Sequence, residues 1–124
     1  MNNKERVVQS FSLEYFDVHT MKNASSTCVI KLKKEDEVFE EVSLGSGPIN
    51  AAYNSIDKIT GNICEELVSY DIHAVSDGND ALGEVMVKLH AKDKIVTGRG
   101  VSTDIIESSI LAYINGINKL IETL

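Results

Sequence analysis

Leu13-Glu14-Tyr15-Phe16-Asp17-Val18-His19-Thr20 returns 54 residues later as Leu67-Val68-Ser69-Tyr70-Asp71-Ile72-His73-Ala74. Both copies are built around an Asp-aliphatic-His core. A second echo sets Gly45-Ser46-Gly47-Pro48 against Gly98-Arg99-Gly100-Val101, 53 residues on. Each of these glycine segments leads into a long apolar-periodic stretch. A repeat at a fixed spacing means two copies of one supersecondary unit, neither of which can bury its apolar face alone. The two copies are therefore expected to pack on each other.

Working outward, β signals dominate the front of each copy. Phe11 to Met21 is strand-rich, and its alternation slips between Tyr15 and Phe16, a place for a bulge. Lys22 to Ser26 is a turn-rich loop. Thr27 to Lys33 alternates cleanly, with Cys28, Ile30 and Leu32 on one face. Lys34-Glu35-Asp36-Glu37 reads as a charged hairpin turn and Val38 to Leu44 as a third strand. The period then changes. Ile49, Ala52, Tyr53, Ile56, Ile59 and Ile63 fall at helical spacing, with Pro48 suited to the first helical position. Gly61 weakens that helix or bends it.

The second half predicts strands over Val68–Val75, Leu82–Ala91 and Ile95–Thr97. A turn cluster lies at Ser76–Asp80 and a tight turn at Lys92-Asp93-Lys94. A final helix runs from an N-cap at Ser102 or Thr103 to Leu124, with a stripe of Ile106, Ile110, Tyr113, Ile117, Leu120 and Leu124. The fold class expected is α+β: two βββα repeats whose antiparallel sheets pack on two long helices. Residues 1–10 read as a linker or disordered N-terminus. Residues 11–124 read as a single domain made of repeats 11–66 and 67–124.

Composition sets the bounds. With 124 residues, 43% of them hydrophobic and 25% charged, the chain is one globular domain with room for a core. A net charge of −7 argues against nucleic acid, which needs a basic face, and against an anionic membrane surface. No apolar run approaches the roughly 20 residues a spanning helix needs. The first residues have no apolar stretch behind their charges and so are not a secretory signal. Cys28 and Cys64 lack a Cys-x-x-Cys partner and read as reduced side chains of a cytoplasmic protein.

Both glycine-rich segments are expected to link a strand to a helix. Such a turn offers free backbone N–H groups and the positive end of the helix dipole, a cradle for an anion. It is not a dinucleotide fingerprint, because the third glycine and the parallel βαβ context are missing. It is not a P-loop, because no Gly-Lys-Ser/Thr follows. With no Lys or Arg in Gly45-Ser46-Gly47-Pro48, a single carboxylate suits the site better than phosphate. His19 and His73 occupy matching positions, but His90 is the only other histidine, so both are read as structural and no metal site is assigned. Asp17 and Asp71 could form an acid pair, yet repeated edge roles explain them as well. Glu35-Asp36-Glu37 is a solvated turn.

Three motifs then carry a resemblance. Gly45-Ser46-Gly47-Pro48-Ile49-Asn50-Ala51-Ala52, Leu67-x-x-Tyr70-x-Ile72-x-Ala74, and Gly98-Arg99-Gly100-Val101-Ser102-Thr103-Asp104-Ile105-Ile106-Glu107-Ser108-Ser109 resemble the C-terminal regulatory domain of the 2-isopropylmalate synthase and citramalate synthase family. The resemblance runs from about Phe11 to Leu124. It implies two βββα units with pseudo-two-fold symmetry, homodimerisation, and binding of an end-product amino acid that restrains a separate catalytic TIM-barrel domain. Leucine is the effector in the isopropylmalate branch and isoleucine in the citramalate branch. It implies no catalytic residue and no cofactor in this chain.

By the same resemblance, Gly45, Ser46, Gly47, Pro48, Ile49 and Asn50 form the effector-contacting turn. Leu67, Tyr70 and Ala74 form its apolar wall, and Asp80, Ala81 and Leu82 the loop that closes over the ligand. Asn50, where the isopropylmalate branch often has Asp, blurs the choice of effector, while the Gly98–Ile106 stretch favours leucine. The alternatives are an isoleucine-binding domain and a structural dimerisation module without a ligand.

Overall fold

A computed structural model describes residues 10–22, 24–75 and 81–123. The turn cluster at Ser76–Asp80, the proposed loop residue Asp80 and the terminal Leu124 lie outside the described residues. Six strands and two helices follow one another as β1 (Ser12–His19), β2 (Ser26–Lys34), β3 (Glu37–Gly45), α1 (Pro48–Thr60), β4 (Glu66–Ala74), β5 (Gly83–Ala91), β6 (Lys94–Ser102) and α2 (Ile105–Thr123). The strands form two separate antiparallel sheets, ordered β1-β2-β3 and β4-β5-β6. The βββα order is thus present twice.

The repeat holds residue by residue. Leu13 faces Leu32 across the first sheet and Leu67 faces Leu89 across the second. Phe16 faces Ile30 where Tyr70 faces Val87, and Val18 faces Cys28 where Ile72 faces Val85. Each first strand is bulged at the same step, between Leu13 and Tyr15 and between Leu67 and Ser69. The slip expected at Tyr15/Phe16 therefore sits one step earlier, with Glu14 and Val68 as the extra residues. The bulge resets the side-chain parity, so that Leu13 and Phe16 both face inward despite their odd spacing.

The two glycine segments are not equivalent. The first strands repeat at 54 residues, but the later elements repeat at 57, as the hairpin turns at Glu35 and Lys92 show (φ 57° and 55°). The additional residues fall between β4 and β5. At that spacing Gly45 matches Ser102 and Gly47 matches Asp104. Gly98-Arg99-Gly100-Val101 is no turn at all; it lies inside β6, which is a full nine-residue strand rather than the short Ile95–Thr97 expected. Gly98 and Gly100 are there for close approach. A Cβ on Gly98 would collide with the Ala112 carbonyl oxygen, and one on Gly100 with that of Ser108. α2 lies backbone to backbone against its strand.

Helix ends follow local chemistry. Pro48 takes the first position of α1, and Gly61, left-handed at φ 76°, ends the helix after Thr60. Gly61 is thus a terminator, and Ile63 falls beyond the helix. α2 is capped by Asp104, not by Ser102 or Thr103: the Ile106 N–H donates to Asp104 Oδ1 at 2.9 Å. Ser102 instead donates from its hydroxyl to Glu107 Oε1 at 2.8 Å.

The core lies between sheets and helices. α1 packs on β2 and β3, and α2 on β5 and β6. Cys28, Ile30 and Leu32 of β2 are fully buried, as their alternation predicts, against Ala51, Ala52 and Ile56. Val85, Val87 and Leu89 of β5 do the same against Ile110, Ile117 and Leu120. Fully burying such side chains contributes about 1.5–3 kcal/mol each. Ser55 Oγ donates to Cys28 O at 2.7 Å and Ser108 Oγ to Gly83 O at 2.9 Å, tying each helix to its own sheet. Between the units, Asn118 of α2 accepts from the Phe11 N–H and donates to the Phe11 carbonyl, both at 2.9 Å.

Candidate functional site

The Gly45–Asn50 segment forms the junction of β3 and α1. Gly45 closes β3, and a Cβ on it would strike the backbone of Ala51, so the chain reverses within a space only glycine fits. Asn50 Oδ1 accepts from the Ser46 N–H at 2.9 Å, and Asn54 reaches back to the Leu44 carbonyl at 3.0 Å. These bonds brace the turn from within.

The start of α1 is open in a way the start of α2 is not. Gly47 occupies the N-cap in extended conformation (φ −154°, ψ 178°) and provides no side-chain cap. Pro48 has no N–H to offer. The Ala51 N–H is already spent on Gly47 O at 2.9 Å. The Ile49 and Asn50 N–H groups remain, at the positive end of the helix dipole and with no acidic residue in the first turn. An external carboxylate is a natural partner for such a pair. At α2 the Asp104 carboxylate already fills that role. The structure therefore contains one uncapped helix start where two glycine cradles were expected.

Beside this turn runs an open cleft of about 450 Å³, lined by Thr27, Val42, Ser43, Leu44 and Lys58. The Ser43 hydroxyl is buried there with no partner among the described residues. Lys58 brings a cation to the same cleft, its Nζ donating to Val42 O at 2.7 Å.

The expected apolar wall lies on the other sheet. Leu67 and Ala74 on β4 are exposed, whereas Tyr70 is half-buried. Tyr70 Oη stands 2.6 Å from Ser109 Oγ. Ser109 donates its single hydroxyl hydrogen to Ile105 O at 2.8 Å, so Tyr70 is the donor of the shorter bond. Of the closing loop, Ala81 is exposed, and Leu82 is half-buried and accepts from the Val75 N–H at 3.1 Å. Among the described residues β4, which carries Leu67 and Ala74, makes no contact with β3 or α1, the two elements that meet at the Gly45–Asn50 turn.

What does link the two groups is a set of residues for which the sequence alone indicates no joint role. Tyr53, one turn into α1 from Ile49, donates to the Ser109 carbonyl at 2.8 Å. Tyr53 and Tyr70 thus meet on one serine of α2. Tyr53 also stacks on Tyr113, whose hydroxyl donates to Asp57 Oδ1 at 2.7 Å. Burial pushes both phenols well above the usual tyrosine value, Asp57 adding to the effect at Tyr113. Burial likewise raises the Asp57 carboxyl, and the Tyr113 bond only partly offsets it. Ser109 carries a faint signal in the sequence, a serine on the inner side of an amphipathic helix.

Other candidates stay apart. His19 Nε2 lies 3.1 Å from Asp17 Oδ2 on the exposed side of β1, and His90 stands 4.0 Å from Glu66 Oε1. Among the described residues no three metal-ligating side chains converge. Both cysteines are free; burial pushes the Cys28 thiol up to about 11. Among the described residues no helix is long and apolar enough to cross a membrane.

The sequence is similar to those of known proteins. A family model described as the LeuA allosteric (dimerisation) domain matches residues 2–121. The chain is 50% identical over 117 residues to a 2-isopropylmalate synthase of Carboxydothermus hydrogenoformans, covering 94% of the chain and 23% of that protein. It is 43% identical over 115 residues to the 2-isopropylmalate synthase of Ruminiclostridium cellulolyticum, covering 93% and 22%. It is 45% identical over 113 residues to that of Heliobacterium modesticaldum, covering 91% and 22%. The chain thus spans under a quarter of the length of these relatives, and the matched part is the allosteric domain rather than the catalytic one. The chain belongs to the LeuA allosteric (dimerisation) domain family.

Proposed function

We propose that this domain binds leucine as the feedback effector of a 2-isopropylmalate synthase and pairs with a second copy of itself. In this reading it performs no catalysis; it restrains a catalytic TIM-barrel domain that acts in leucine biosynthesis. The observation that carries the reading is the uncapped start of α1. The Ile49 and Asn50 N–H groups receive the effector's carboxylate, with Gly45, Ser46, Gly47 and Pro48 shaping the turn. The family resemblance assigns the apolar wall for its side chain to Leu67, Tyr70 and Ala74, tied to α1 through the Tyr70–Ser109–Tyr53 bonds, and the closing loop to Asp80, Ala81 and Leu82. Leucine is favoured over isoleucine because relatives covering nine-tenths of the chain are isopropylmalate synthases.

A thermal-shift panel of leucine, isoleucine and valine tests this. Leucine at 100 times its Kd adds about 2.7 kcal/mol to stability by mass action. Leucine raises the melting temperature most. Gly47→Val blocks the rise while the unliganded protein stays folded, because Gly47 is extended and has open space around it. A panel in which none of the three shifts the transition counts against effector binding and leaves a purely structural dimerisation module.

A further inference from the structure

Two of the four sheet edges are sealed by side chains from the helices. On β3, Asn54 donates to Leu44 O at 3.0 Å and Lys58 to Val42 O at 2.7 Å. On β6, Asn115 donates to Arg99 O and Lys119 to Thr97 O. A strand whose carbonyls are already occupied is a poor template for another chain. The edges left are β1 and β4.

β4 is the more open of the two. Phe16 and Val18 of β1 are half-buried in the core, and both helices approach that strand. No helix lies over β4, and only the Tyr70 hydroxyl reaches α2. Ile72 is 50% exposed, Val75 46%, Val68 45% and Leu67 41%. The hydrogen-bond phase is also set. Val75 N–H donates inward to Leu82 O. In an antiparallel ladder bonded and non-bonded residues alternate, so His73 and Asp71 point their main-chain groups toward β5. Tyr70, Ile72 and Ala74 then present theirs to the open edge.

We propose that two copies of this chain join by antiparallel pairing of β4 with β4, the two-fold axis passing through the Ile72 pair. This rests on the dimer reading given under Proposed function and adds the strand and the register. The register is self-complementary, as an isologous interface must be. Ile72 faces its own copy. Tyr70, bulky, faces the partner's Ala74, which is small. On the opposite face of the ladder Asp71 meets the partner's His73, an acid against a base. Neither the Asp71 nor the His73 side chain has a hydrogen-bond partner among the described residues, whereas the side chains of their counterparts Asp17 and His19 already engage each other at 3.1 Å within β1. Moving the axis to Tyr70 would set Asp71 against Ser69 and drive the Val68 bulge into the new ladder. The β4-β5-β6 sheets of the two copies become one continuous six-stranded sheet.

The test is cysteine crosslinking of the full chain in a Cys64→Ser background. A hydrogen-bonded antiparallel pair holds its Cα atoms about 5.5 Å apart, within disulfide range. The unmodified chain sediments as a dimer, and Ile72→Cys links it covalently under mild oxidation, whereas Val18→Cys on β1 does not. His73→Asp sets two carboxylates face to face on each side of the axis and raises the dimer dissociation constant about tenfold. Adding Asp71→His to it exchanges the pair and restores the original value. A dimer that persists while Ile72→Cys stays unlinked, or that links through Val18→Cys, overturns the β4 register and leaves the dimer reading standing. An unmodified chain that sediments as a monomer at every concentration overturns both. Retention of the far-ultraviolet spectrum by each variant separates loss of pairing from loss of fold.

Discussion

Tyr53 of α1 and Tyr113 of α2 stack with ring centroids 4.0 Å apart and planes 11° from parallel. Each hydroxyl ends on the other helix, Tyr53 on Ser109 O and Tyr113 on Asp57 Oδ1. The seam between the two repeats is therefore an aromatic pair with satisfied polar tips. Such a pair contributes about 0.5–1.5 kcal/mol beyond its area. It also ties α1, whose first residues form the proposed effector turn, to the serine that holds Tyr70.

Removing either hydroxyl deletes one hydrogen bond that crosses the seam. Tyr53→Phe and Tyr113→Phe each cost about 1–2 kcal/mol in a urea titration. If both variants match the unmodified protein in midpoint and slope, the hydrogen bonds across the seam contribute nothing.

Asp57 gives the seam a pH dependence of known sign. Its carboxyl is raised above the ordinary 3.8 by burial, so the folded state holds its proton longer than the unfolded chain does. Stability from this group is present at low pH and is lost as pH rises through the folded value. Asp57→Asn keeps an acceptor for Tyr113 and removes the titration. The difference in stability between the two proteins, followed by urea unfolding from pH 3 to pH 7, moves in favour of the Asn variant as pH rises. A difference that moves the other way contradicts this assignment.

Glycines in similar sequence settings differ in consequence. Gly98→Ala and Gly100→Ala place a methyl against the backbone of α2 and destabilise the fold by more than about 3 kcal/mol, since neither neighbour is a flexible side chain. Gly47→Ala meets nothing within 4 Å and costs under about 1 kcal/mol. Thermal melts of the three variants give this order; a Gly98 variant as stable as the Gly47 one shows that α2 does not lie that close.

Thiol accessibility separates the two cysteines. Cys28 is fully buried in β2 with its thiol pushed up to about 11, and its side chain lies under α1. Cys64 is partly exposed, although burial raises its thiol too. A thiol reagent at neutral pH labels Cys64 first and reaches Cys28 only as the protein unfolds. Equal rates in the native protein contradict the packing of β2.

The sheet half of each repeat was legible because alternation and the Asp-aliphatic-His echo are properties of strands alone. Cys28, Ile30 and Leu32 read as one face and are one face. Gly98 and Gly100 misled because glycine serves two purposes, turning a chain and admitting a neighbouring backbone. Only the packing of α2 reveals which applies. The capping of α2 by Asp104 hid behind two adjacent hydroxyl residues of equal capping quality. Tyr53 and Tyr113 were visible as apolar stripe, but their polar tips find partners more than 50 residues away, a distance at which periodicity carries no information. For the same reason the turn at Gly45–Asn50 was readable, while its relation to Leu67, Tyr70 and Ala74 was not.

The central claim is that the uncapped start of α1 receives the carboxylate of leucine. Calorimetric titration of the 124-residue chain with leucine tests it most directly. A saturable heat with leucine, weaker with isoleucine and absent in the folded Gly47→Val variant, is the result expected. No heat with either amino acid, from protein that is folded and dimeric, would contradict it.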